Sequence, residues 1–172
     1  KPGGRAQRRA RPPAGGIAPE VEMSVSAVGT RGWAARPWQS KASVSVQSSR
    51  LTAARMVELA VEASRHVQDD RGWVAVRDRG AMRVDLRIRD MVRDDGAEVM
   101  QFHVEMALGA GRVTARSSVD SFQVKESGLA GLVSAGNKKI LGYSAYERYM
   151  EVFGALVSAD DPAAQVSFTS GK

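Results

Sequence analysis

The sequence predicts an α+β fold: a curved antiparallel sheet of about four to five strands, covered on one face by an N-terminal helix and a long C-terminal amphipathic helix. Three observations predict it. From about residue 73 to residue 120, apolar and polar side chains alternate with period two, interrupted by short turns containing Gly and Asp. Residues 53–67 and 145–159 instead space their apolar side chains by three and four. The total of 172 residues suffices for one domain and is too short for two ordinary ones.

Residues 1–40 hold five of the six prolines and no sustained periodicity, so they are expected to form a largely disordered arm. Trp33 and Trp38, flanking Arg36-Pro37, are the exception and are expected to dock on the body or on a partner, with the body favoured. A single domain is expected over residues 41–160, opening with a short strand in which Val44 and Val46 alternate with Ser43, Ser45 and Gln47. A helix follows from about Ala53 to Val67. Thr52 is its N-cap, and Leu51 with Met56 makes a hydrophobic staple. Met56, Val57, Ala60, Ser64 and Val67 share its inner face, opposite Arg55, Glu58, Glu62 and Arg65, before Asp69-Asp70-Arg71-Gly72 ends it.

The strands come next. Trp73–Arg77 leads to a turn at Asp78-Arg79-Gly80, after which Met82, Val84, Leu86 and Ile88 alternate with charged residues. Asp94-Asp95-Gly96 signals a hairpin, because glycine takes the left-handed conformation such loops need. Met100, Phe102, Val104, Met106 and Leu108 then face one way, and Gly109-Ala110-Gly111 turns the chain into Val113, Ala115, Ser117 and Val119. The phase slips near Asp90-Met91 and Phe122, which predicts bulges or bends. After a Gly/Ala/Leu-rich segment at 127–142, read as a mobile lid or a long connection, Ser144-Ala145-Tyr146-Glu147 has capping-box spacing and starts the last helix. Its apolar stripe is Tyr146, Tyr149, Met150, Phe153, Leu156 and Val157. Asp160-Asp161-Pro162 stops it, and the residues that follow, 161–172, are expected to be a loose tail.

Charge divides unevenly. Residues 1–50 carry nine basic side chains against two acidic ones, whereas the remaining 122 residues carry 16 against 17. The basicity belongs to the arm, and Arg5, Arg8, Arg9 and Arg11 are the residues through which it would hold a nucleic-acid or protein partner. Arg8-Arg9 is no export signal, since no apolar stretch follows, and the expected compartment is the cytoplasm. Position 1 is Lys and Met23 follows a Pro/Gly/Arg stretch, which leaves two readings of residues 1–22 open: native sequence, or upstream readthrough or added sequence. Without cysteine there is no disulfide, zinc–thiolate site or cysteine nucleophile, and no run of 18 apolar residues spans a membrane.

The order of strand, helix, antiparallel meander and aromatic terminal helix resembles the helix-grip architecture of START and Bet v 1-like proteins over residues 42–158. One N-terminal helix stands where that family usually has two, and the strands are fewer. What the resemblance implies is a cavity between sheet and last helix for a lipid or another apolar ligand.

Chemistry is sparse. Gly131–Lys138 lacks the Gly-Lys-Ser/Thr end of a phosphate-binding loop, and no Gly-x-Ser-x-Gly elbow exists. His103, on a polar strand face with Asp85 or Asp120 as cross-strand neighbours, is either a solvated histidine or a base oriented by a carboxylate. His66 complements a helix dipole. Asp90 falls on the apolar side by strict alternation, so a bulge turns it out or it is a functional polar group. The expected function is a non-catalytic domain, with no cofactor or metal, that encloses an apolar or amphipathic small molecule. Met82, Leu86, Met100, Phe102, Val104, Met106, Ser117, Tyr146, Tyr149 and Phe153 line its pocket. The alternative is an interaction module with a packed core whose basic, Trp-bearing arm captures a protein or nucleic-acid partner.

Overall fold

A two-residue turn between the longest strands and period-two alternation dictate the centre of the molecule. In the computed structural model, which describes residues 37–68, 72–90, 96–124 and 139–171, strands β4 (Glu98–Gly109) and β5 (Arg112–Phe122) form its longest hairpin. The hairpin closes through Ala110 and Gly111, whose φ angles of 49° and 72° are those a type I′ turn requires. Strands β2 (Gly72–Arg79) and β3 (Arg83–Asp90) extend the meander, and β1 (Ser43–Ser48) pairs with β5 at the other side. A sixth strand, β6 (Gln165–Thr169), pairs with β1, so the antiparallel sheet runs β2-β3-β4-β5-β1-β6. The expected loose tail therefore contains a strand. Its Val166 and Phe168 continue the alternation opposite Val46 and Val44. Phe168 stays 55% exposed, but its ring and Val166 lie where a Cβ on Gly154 would be, which lets α2 approach this strand closely.

Helix α1 (Ala53–Arg65) starts where its cap dictates: Thr52 Oγ1 accepts the Arg55 N–H at 3.1 Å. Met56, Val57, Leu59, Ala60, Ala63 and Ser64 are buried on one face, and Val67 is buried just beyond the helix end. Helix α2 (Tyr143–Asp160) begins earlier than the capping-box spacing predicts. Its N-cap is Gly142, in the left-handed region at φ 77°, and Ser144 lies inside the first turn. Only glycine fits there: a Cβ at Gly142 would lie 2.9 Å from Ile88 Cγ2 and 3.1 Å from Val99 Cγ2. The early start also sets the Tyr143 ring edge-on against Trp38, with centroids 5.7 Å apart.

That contact shortens the arm. Trp38–Lys41 forms a turn of 3-10 helix, and buried Gln39 accepts the Ile140 N–H at 3.0 Å, so residues 37–40 belong to the body and not to the arm. Trp33, Arg5, Arg8, Arg9 and Arg11 lie outside the described residues, as do Asp69-Asp70-Arg71, Met91, Asp94-Asp95 and the Gly-rich segment through Lys138.

The inward residues of β1, β3, β4 and β5 share one core with both helices. Two bulges fall near the predicted phase slips. One lies between Ile88 and Arg89, where Val99 is the extra residue of β4, and the other between Gln101 and Phe102, opposite Asp120 on β5. Asp90 ends β3 opposite Gly72 and is half-buried, away from the fully buried core positions. A third irregularity, between Val76 and Asp78, lets β2 continue through the turn expected at Asp78-Arg79. Leu108 departs from the inward stripe: it is 69% exposed, near the tip of the β4–β5 hairpin.

One buried polar knot closes the lower edge. The Ser48 hydroxyl donates to Asp161 Oδ2 at 2.6 Å and accepts the Arg50 and Leu51 N–H groups, while Asp161 Oδ1 accepts from Ala163 N. This carboxylate, 1% exposed, joins the end of β1 to the end of α2. Gly142→Ala is expected to destabilise the fold by about 2–4 kcal/mol in urea unfolding, from strained φ plus contact with Ile88 and Val99. Gly109→Ala, with open space around it, is expected to stay within about 0.5 kcal/mol of the parent.

Candidate functional site

The residues nominated as a pocket do come together. Leu86 on β3, four residues of β4 (Met100, Phe102, Val104 and Met106), Ser117 on β5, and Tyr146, Tyr149 and Phe153 on α2 are all buried; Met82, just before β3, is half-buried. Helical spacing explains the α2 contribution, since positions 146, 149 and 153 fall on one face. Phe102 is the hub. Its ring meets Tyr146 and Tyr149 edge-on, each at a centroid distance of 4.9 Å, and Tyr149 stacks on Phe153 at 6.2 Å.

Every polar handle in this group is used by the protein itself. The Tyr146 hydroxyl donates to the Ala42 carbonyl at 2.9 Å, which makes Ser117 the donor in the 2.8 Å contact between Ser117 Oγ and Tyr146 OH. Ser117 Oγ accepts the Val44 N–H at 2.9 Å, so a relay runs from Val44 through Ser117 and Tyr146 to Ala42. The Tyr149 hydroxyl donates to the Ala60 carbonyl of α1 at 3.0 Å. Burial pushes the Tyr146 hydroxyl up to about 12, partly offset by its bond with Ser117, and pushes Tyr149 well above the ordinary tyrosine value. Phe102, Val104, Ser117, Tyr146, Tyr149 and Phe153 are fully buried.

The opposite sheet face carries charge. Arg83 of β3, Glu105 of β4 and Arg116 of β5 stand in cross-strand register, a row of alternating sign. In the next rows, His103 Nδ1 lies 2.8 and 2.9 Å from the two carboxylate oxygens of Asp120, and Asp85 pairs with His103 across β3 and β4. Arg83 donates through Nε and Nη2 to Asp85 Oδ1, which holds the Asp85 carboxyl below its usual range. Asp85, His103 and Asp120 are the group among the described residues whose donor atoms could hold a metal ion. His66 is exposed at the C-cap of α1, far in sequence from this group.

Pattern reading did not reveal a cleft of about 280 Å³ between the end of α1 and the start of β2. It is lined by Ser64, Arg65, Val67, Gln68, Trp73 and Val74. Its walls come from the junction of two elements, and only the apolar Val67 and Val74 and the ring of Trp73 hinted at it. Among the described residues, no helix is long and apolar enough to cross a membrane. No family model, curated protein or solved structure matches this chain.

Tyrosine burial has a pH signature. The folded Tyr146 value lies above the unfolded one of about 10, so its contribution is fully present below about pH 10 and is lost as pH rises toward about 12. Urea unfolding is expected to show a loss of about 2–3 kcal/mol or more across that window. Tyr146→Phe, with lower stability at pH 8, is expected to show a visibly shallower alkaline decline.

Proposed function

We propose that this chain is a non-catalytic interaction module in which the α+β body is a packed scaffold and the basic N-terminal arm captures an anionic partner. The observation that carries this reading is the satisfied interior: the hydroxyls of Ser117, Tyr146 and Tyr149 are committed to protein partners, and all three residues are fully buried. A guest between sheet and α2 would have to displace Phe102 and leave buried hydroxyls unpaired, at about 1–3 kcal/mol for each group. The basic arm supplies the attraction. Its Arg5, Arg8, Arg9 and Arg11 suit an anionic partner, while residues 51–172 are almost neutral.

A second reading, a domain enclosing an apolar small molecule, draws support from the buried Met56, Met100, Met106 and Met150 with half-buried Met82. Thioether side chains repack around guests of differing shape more readily than branched ones do.

Removing residues 1–36, and not 1–40, separates the two readings. Under the leading reading the full chain binds a labelled duplex oligonucleotide or an acidic peptide in anisotropy measurements. Duplex affinity is expected to fall about a hundredfold between about 50 and 200 mM salt, as for about four neutralised phosphates. The truncated chain should unfold at the same urea concentration and bind neither probe. Equal binding by both chains, or none by the full chain, overturns it. A small molecule retained by the truncated chain in native mass spectrometry would favour the second.

A further inference from the structure

We propose that Asp85, His103 and Asp120 form a binding site for a divalent first-row transition-metal ion on the open face of the sheet. The three side chains come from three adjacent strands, β3, β4 and β5, and each offers a donor atom within 4.8 Å of the others. Asp85 faces His103 directly across β3 and β4, and the bulge opposite Gln101 and Phe102 keeps Asp120 on the same side of β5. The donors are thus fixed by strand backbone, and a rigid scaffold leaves little to order on binding.

The imidazole and the Asp120 carboxylate are hydrogen-bonded to each other, so an ion bound here would displace the proton they share. Two ligand atoms each about 2.1 Å from a metal, at an angle near 90°, stand about 3.0 Å apart. His103 Nδ1 and the Asp120 oxygens are 2.8 and 2.9 Å apart. The imidazole is set deep in the site, with its side chain 14% exposed, and the carboxylates rise on either side at 30% and 37%. Arg83 does not close the site, because both of its bonds to Asp85 end on Oδ1 and leave Oδ2 outside the pair. One imidazole with two carboxylates and no thiolate suits Zn²⁺, Co²⁺, Ni²⁺ or Mn²⁺ over the all-oxygen preference of Ca²⁺ and Mg²⁺. Exposure of Asp120 leaves the remaining coordination positions to water.

The chain has two histidines, which makes the test direct. The full chain is titrated calorimetrically with ZnCl₂ alone in a non-coordinating buffer, and ring resonances of His66 and His103 are followed by NMR during addition of Zn²⁺ and of paramagnetic Ni²⁺. One saturable site is expected, with shifts and broadening confined to His103. His103→Ala and Asp120→Asn should each weaken binding at least tenfold, Asp85→Asn severalfold, and His66→Ala should leave it unchanged. Absence of saturable binding below about 1 mM Zn²⁺, perturbation of His66 instead of His103, or undiminished binding by Asp120→Asn overturns the proposal. The wild-type NMR arm decides the matter even where a variant fails to fold.

Discussion

Burying a tyrosine hydroxyl obliges the surroundings to supply a partner, and this fold is organised around meeting that obligation twice. Tyr149 is anchored on the Ala60 carbonyl of α1, and Tyr146 on Ser117 and the Ala42 carbonyl. These bonds fix the rotation of α2 and its position along the sheet, a specificity that apolar contact alone does not impose. Phe102 can then serve as a common edge-on partner for both rings. The same relay employs the Val44 N–H, so the start of β1 is held by a side chain from the neighbouring strand.

A core satisfied in this way has little left to offer a guest. The hydroxyls of Ser117, Tyr146 and Tyr149 already have protein partners, which supports the proposal that binding takes place outside the core. There the molecule is differentiated. The sheet's open face has charges in cross-strand register, with Glu105 set between Arg83 and Arg116, and it concentrates two carboxylates around the imidazole of His103. The arm carries the excess of positive charge.

Much of this was legible from residues in order. Alternation identified β3, β4 and β5 and the inward placement of Phe102 and Ser117, because a period of two leaves one face to bury. Thr52 marked the start of α1 because capping is local. The failures have physical causes as well. Ser144 has the spacing of a cap, but packing of Tyr143 on Trp38 and the left-handed Gly142 bring the helix start forward. Leu108 follows the stripe, yet alternation cannot say where a hairpin outruns its cover. Strand β6 has only Val166 and Phe168 to announce it, and it depends on a partner, β1, more than 100 residues earlier. At the candidate metal site, His103 and its two neighbours could be named as cross-strand candidates. Their convergence could not, since it depends on strand register and a bulge.

Dissolved xenon offers the most direct measurement of whether the interior is closed. It enters apolar cavities without needing a polar partner, and its occupancy is read from saturable chemical-shift changes in neighbouring methyl and aromatic groups. A filled interior predicts no saturable change at Phe102, Met100, Met106 or Tyr149 in the native chain, and a clear saturable response once Phe102→Ala opens a void. Saturable xenon uptake around Phe102 and Tyr149 in the unaltered protein would contradict the account and restore a container between sheet and helix.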